Sequence, residues 1–175
     1  MWNRILVIVT STLVLILLYV FIPGLRNDRD RILGDKQFKS DHWKKAAKLY
    51  EKVIDYNANS PKEMTRLGYC YFKTGDVKKA IATFKKSIQI DSTKLKTYRW
   101  LGDAFLQEED FLNAGKAYQK LISLYRAHHL LDKTDADDYM YALDKSVFCE
   151  LKLKNDSLAL RQLHSFASAL RMKIQ

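Results

Sequence analysis

Two histidines and four acids crowd one short stretch, His128-His129 followed by Asp132, Asp135, Asp137 and Asp138, and these are residue types that hold a divalent cation. A calcium loop, however, needs oxygen ligands at alternate positions, a central glycine and a closing glutamate, and none stands in phase. The helical zinc spacing H-E-x-x-H is missing as well. The acids instead suit a loop between helices, where carboxylates favour the N-terminus of the helix that follows. His42 and His164 stand alone and read as structural. No Ser, Thr or Cys sits in a nucleophile motif, and the sequence has no glycine-rich phosphate loop. The chain is therefore expected to be no enzyme, with no catalytic residue, no metal and no cofactor. Cys70 and Cys149 are far apart, form no C-x-x-C pattern and read as core thiols.

What the residues do offer is positive charge. The net charge is +10 over 175 residues. Residues 1–128 hold 23 Lys/Arg against 13 Asp/Glu, whereas residues 129–175 hold 7 of each, so the excess lies in the first part of the chain. Lys78, Lys79, Lys85 and Lys86 form the densest cluster. Lys62, Arg66, Tyr69 and Lys73 fall at i, i+4, i+7 and i+11, which puts them on one face of a helix. Nucleic acid is a usual partner for such charge, but no helix-turn-helix, zinc-finger or aromatic-rich RNA-binding signature accompanies it, and none is expected here. An anionic lipid surface is the other usual partner.

Two prolines and six glycines, with Ala, Leu and Lys abundant, point to a helical chain. Ile5 to Ile22 contains no charge and is bounded by Arg4 and by Arg26, Arg29 and Arg31. Eighteen helical residues span roughly 27 Å, close to the ~30 Å hydrocarbon layer. The run exits through Tyr19-Val20-Phe21-Ile22-Pro23-Gly24, without the small-x-small site of a cleaved signal. A transmembrane anchor over residues 1–24 is expected, with Trp2 and Tyr19 at its interfaces and a helix break at Pro23-Gly24. About 150 residues remain, enough for one domain with a sizeable core.

Those residues repeat. The middle copy reads Met64-x-x-Leu67-Gly68-x-x-Tyr71, Gly75-Asp76-Val77, Ala80-x-x-x-Phe84. Thirty-four residues later comes Tyr98-x-x-Leu101-Gly102-x-x-Phe105, Glu109-Asp110-Phe111, Ala114-x-x-x-Tyr118. Thirty-four earlier stands Asp30-x-x-Leu33-Gly34-x-x-Gln37, Asp41-His42-Trp43, Ala46-x-x-x-Tyr50. The pattern resembles the tetratricopeptide repeat. Leu33, Leu67 and Leu101 suit the buried stripe of a first helix, and the glycine after each lets a second helix approach. Ala46, Ala80 and Ala114 serve that contact from the other side, and Tyr50, Phe84 and Tyr118, one turn further along, fill the space between neighbouring repeats. Asp30 and Gln37 depart from the apolar pattern, as suits a terminal repeat with an outward face. Past His128 the register fails. Thr134 or Asp135 can cap a helix to about Leu153 with Tyr139, Leu143, Val147 and Leu151 on one face. Asn155-Asp156 then turns into a helix carrying Leu160, Leu163, Ala167 and Leu170.

The resemblance implies an all-α helical-hairpin solenoid: an anchor over 1–24, repeats over 27–60, 61–94 and 95–128, and a C-terminal helical pair over 129–175 as degenerate repeat or cap. It also implies partner binding in a concave groove lined by the first helix of each repeat. Carried across, that face holds Arg31 and Asp35; Lys62, Arg66, Tyr69 and Lys73; and Lys96, Arg99, Trp100 and Asp103. One subtype grips the carboxylate tail of heat-shock chaperones with Lys, Asn, Asn, Lys and Arg; here those places hold Arg31, Asp35, Arg66, Lys96 and Trp100, and Asp35 would repel a carboxylate. The expected function is a single-pass membrane-anchored scaffold or adaptor, or alternatively a structural subunit of a large membrane complex. Its partner would be a membrane-associated protein, acidic at the contact, with lipid met through the N-terminal helix. The positive flank after the apolar run places the repeats in the cytoplasm, the periplasm being the alternative.

Overall fold

The computed structural model describes residues 2–128, 133–155, 157–164 and 167. Seven helices follow in order: α1 (Trp2–Lys39), α2 (Trp43–Tyr56), α3 (Pro61–Lys73), α4 (Val77–Ile90), α5 (Leu95–Gln107), α6 (Phe111–His128) and α7 (Lys133–Lys152). Residues 157–164 are helical too, and there is no strand among the described residues. Each helix packs on the next, and α3 also touches α1 and α5. The stack therefore curves so that these first helices share its inner side.

The period-34 residues make the hairpins. In α4 the buried Val77, Ala80, Phe84 and Ser87 fall on one stripe, while Lys78, Lys79, Lys85 and Lys86 are all exposed on the other side. Ala46, Ala80, Ala114, Tyr50, Phe84 and Tyr118 are fully buried. A Cβ on Gly68 would lie 2.6 Å from the Phe84 ring, and one on Gly102 2.6 Å from the Tyr118 ring. The glycine and the aromatic ring are thus two halves of one contact between the helices of a hairpin.

Every hairpin turns the same way. Asp41, Gly75 and Glu109 occupy equivalent turn positions and all have positive φ, at 57°, 88° and 56°. The next residue donates its N–H five residues back, His42 to Gln37 at 3.0 Å, Asp76 to Tyr71 at 2.9 Å and Asp110 to Phe105 at 2.9 Å, which is the closing bond of a left-handed helix C-cap. Lys154 (φ 57°) and Asn155, bonded to Glu150 at 2.9 Å, repeat the device after α7. The sequence register lapses there because α6 and α7, at 18 and 20 residues, are longer than α2 to α5, at 13 or 14.

Several expectations are corrected. Among the described residues no helix is long and apolar enough to cross a membrane. The transmembrane anchor, the single-pass placement with its cytoplasmic or periplasmic side, and the lipid contact through an N-terminal span fall with that finding. The apolar run belongs instead to a 38-residue helix whose second half is charged and forms the first hairpin, and Pro23 lies inside it. A proline removes one helical N–H and clashes with one carbonyl, which can kink a helix without ending it. Asp30 is 5% exposed rather than outward-facing, and its Oδ1 lies 3.4 Å from Arg29 Nη2. Leu33 at that end is 39% exposed, whereas Leu67 and Leu101 are each at 6%. α7 begins at Lys133, ahead of both proposed caps. His129, Asp132 and Leu170 lie outside the described residues. Cys70 and Cys149 are buried free thiols, which burial pushes up to about 12 and about 11.

Candidate protein-binding groove

The shared face of α1, α3 and α5 carries the predicted residues, but they fall into two groups. The first is a row of rings. Tyr69 on α3 stacks against Trp100 on α5 with centroids 4.3 Å apart. Phe38 of α1 lies 5.5 Å from Tyr69, and Trp43 at the start of α2 lies 5.2 Å from Phe38 and 5.4 Å from Tyr69. All four are partly exposed. Lys73 sits over this row, its Nζ 5.9 Å from the Tyr69 centroid and 6.0 Å from that of Trp43. Beside it, Asp41, His42, Trp43, Lys44, Lys45, Lys73 and Thr74 line a shallow cavity of about 370 Å³.

The second group is already engaged within the chain. Arg66 is paired with Asp35, which also accepts the Tyr50 hydroxyl at 2.8 Å. Arg99 is paired with Asp138 on α7 and lies 4.5 Å from the Tyr141 centroid. Asp103 accepts hydroxyls from Tyr118 at 2.6 Å and Tyr141 at 2.7 Å. Arg31 pairs with Asp28 of its own helix at 2.9 Å. Lys62 and Lys96 are exposed. Among the described residues, Lys62, Lys73 and Lys96 have no ion-pair partner.

These contacts set the protonation of the groove. Burial by itself would raise the Asp35 carboxyl, but hydrogen bonds from Tyr50 and Arg66 and the charges of Arg66 and Lys62 outweigh it and hold the group below its usual range. Burial and the bond to Asp35 push the Tyr50 hydroxyl up. Burial and the Asp103 carboxylate do the same for Tyr118 and Tyr141. The tyrosines therefore stay neutral donors, and Asp35 stays a charged acceptor.

A substitution runs through the period. In the first and third hairpins a tyrosine of the second helix, Tyr50 or Tyr118, donates to an aspartate of the first, Asp35 or Asp103. In the middle hairpin Phe84 stands in the tyrosine's place and Tyr69 in the aspartate's. Where the hydroxyl is lost the carboxylate is lost with it, and a ring is presented to the groove instead.

Sequence reasoning missed Phe38, Trp43, Tyr141 and Asp138 as groove residues. Phe38 could have been found, since Arg31, Asp35 and Phe38 have the same i, i+4, i+7 spacing as Lys62, Arg66 and Tyr69. Asp138 carried no signal: it meets Arg99 across 39 residues of chain and stood among acids read as a loop. Trp100 is partly core, since it packs against the main buried cluster as well as against Tyr69.

With this geometry established, comparison with known proteins is informative. The family model described as "Anaphase-promoting complex, cyclosome, subunit 3" matches residues 39–120. Comparison with curated proteins yields no match. Among solved structures, PcrH in complex with the chaperone binding region of PopD is similar at a TM-score of 0.65 and 15% identity, over 71% of this chain and 91% of that one. The Yersinia enterocolitica type III secretion translocator chaperone SycD gives 0.66 and 14%, over 73% and 85%. The TPR2B domain of yeast Sti1, in complex with an Hsp70 peptide, gives 0.60 and 16%, over 69% and 98%. The fold is thus an all-helical, tetratricopeptide-type hairpin solenoid.

Proposed function

We propose that this chain is a protein-interaction scaffold or adaptor that holds a segment of a partner protein in the groove lined by α1, α3 and α5. The observation that carries the reading is the partly exposed ring row Trp43, Phe38, Tyr69 and Trp100, on the same helices as Lys62, Lys73 and Lys96, which form no ion pair among the described residues. Aromatic side chains supply large contact area at interfaces, and unpaired lysines steer an acidic partner toward it. Two similar structures are complexes that hold a partner segment, of PopD in one case and of Hsp70 in the other. The reading involves no catalysis and no cofactor.

The test is site-specific photocrosslinking in cells. A crosslinker replacing Lys73 is expected to capture a partner, and the same group replacing Lys86 on the convex face is not. Lys62→Glu with Lys96→Glu should abolish the Lys73 crosslink while helical content stays unchanged. Equal capture from both faces would dismiss the groove.

A second reading is a subunit built permanently into a larger assembly, favoured by exposed Leu25, Ile32 and Leu33 at the first hairpin. Co-purification in fixed ratio at high salt would support it; free, exchangeable protein would support the adaptor.

A further inference from the structure

Resting on the groove reading, we infer that the partner segment is internal to its chain: an extended acidic stretch bracketing an aromatic or large aliphatic side chain, recognised without a terminal carboxylate. The argument begins with which cations are available. A guanidinium fork is the group that grips a carboxylate with two parallel hydrogen bonds. The groove face has three guanidinium forks, and all hold carboxylates of this chain: Arg31 holds Asp28, Arg66 holds Asp35 and Arg99 holds Asp138. Asp35 is further fixed by Tyr50, and Arg99 by its seat on the Tyr141 ring. An entering chain terminus would have to displace Asp35, which Tyr50 and Arg66 both orient, or Asp138 from an arginine already seated on a ring. The groove therefore lacks a free fork for it.

What is left to a ligand is Lys62, Lys73 and Lys96 together with the rings. Lysines are mobile point charges that attract a side-chain carboxylate at any of several positions. Lys62 and Lys73 are eleven residues apart on α3, and a helix rises ~1.5 Å per residue, which separates them by roughly 16 Å along its axis. An extended segment advances ~3.3 Å per residue, so about five residues cover that distance. Tyr69 lies between the two lysines and presents the ring row. A ligand with two acids about five residues apart and an apolar side chain between them matches all three features at once.

The probe is a fluorescein-labelled peptide, Asp-Gly-Ser-Phe-Ser-Asp, prepared with an amidated and with a free C-terminus and titrated with the full chain by fluorescence anisotropy. Both forms are expected to bind within about twofold of each other. Changing both Asp to Asn, or Phe to Ala, should weaken binding at least tenfold, as should Lys73→Glu in the protein. Asp35→Asn, which releases Arg66, should shift preference toward the free-carboxyl form. A tenfold or greater loss on amidation with the unsubstituted protein overturns the inference and leaves the groove reading standing. If no peptide binds while the Lys73 crosslink still captures a partner, the acidic segment is likewise wrong. If both fail, the groove reading falls with it.

Discussion

Tyr69 of α3 and Trp100 of α5 stack with ring centroids 4.3 Å and planes 36° apart, so the floor of the groove is also a joint between two hairpins. Trp100 extends from that joint toward Phe84, 6.5 Å away, and packs on the main core. Trp100→Ala is therefore expected to destabilise the fold by about 2–4 kcal/mol through the cavity it leaves. Lys73→Glu, at an exposed position, should change stability by no more than about 0.5 kcal/mol. Urea unfolding followed by circular dichroism separates the two, and a Trp100→Ala protein as stable as the parent would show that the ring belongs to the surface alone.

Asp35 makes the stability of the first two hairpins sensitive to acid. Its carboxyl is held below the unfolded value by Tyr50 and Arg66, so it stabilises the fold above an unfolded pKa of about 3.9, and that contribution is lost as pH falls through the folded pKa. Asp35→Asn should lower stability at neutral pH and flatten the decline below about pH 4. Thermal melts between pH 7 and 2.5 check this; parallel curves for the two proteins would contradict it.

Gly68 and Gly34 stand at equivalent positions but differ in room. A Cβ at Gly68 meets Phe84 ring atoms at 2.6 and 2.7 Å, whereas one at Gly34 meets Tyr50 at 3.0 and 3.2 Å. Overpacking costs about 1–3 kcal/mol, against a helix-propensity gain of about 1 kcal/mol from glycine to alanine. Gly68→Ala should be clearly destabilising and Gly34→Ala much closer to neutral. A stability order the other way round would mean that the Phe84 ring can move aside.

The turns supply a pair of opposite changes. Gly75 has φ 88° and Glu109, its equivalent one period on, φ 56°. A side chain in the left-handed region costs about 1–2 kcal/mol. Gly75→Ala should lower the unfolding midpoint, and Glu109→Gly should raise stability by about 0.5–1 kcal/mol after the added freedom of the unfolded glycine is allowed for. Loss of stability in both would point to a tertiary contact of the Glu109 side chain.

The hairpin architecture was legible because its determinants are local or recur at one period. Gly68 with Phe84 and Gly102 with Tyr118 each lie within one hairpin, and copying them every 34 residues multiplies the signal above chance. The inner face of α3 was legible for a related reason: helical periodicity alone puts Lys62, Arg66, Tyr69 and Lys73 together. Burial at the ends was not. Leu33 precedes a glycine as Leu67 does, yet is exposed, while Asp30, in a place where its equivalents are Met64 and Tyr98, is buried.

By itself, then, the sequence determined that this chain is a stack of helical hairpins and which faces of the helices turn inward, since both follow from side-chain size and spacing along a helix. Only the tertiary structure decided which inward charges are paired within the chain. Arg66 and Asp35 are 31 residues apart and Arg99 and Asp138 are 39 apart, and no rule of local spacing links them. Pro23 likewise reads as a stop, and it is the path of α1 that carries the helix through it to Lys39. Pairing across helices depends on how the hairpins are set against one another. That setting is the sum of many packing contacts, which no short stretch of sequence contains.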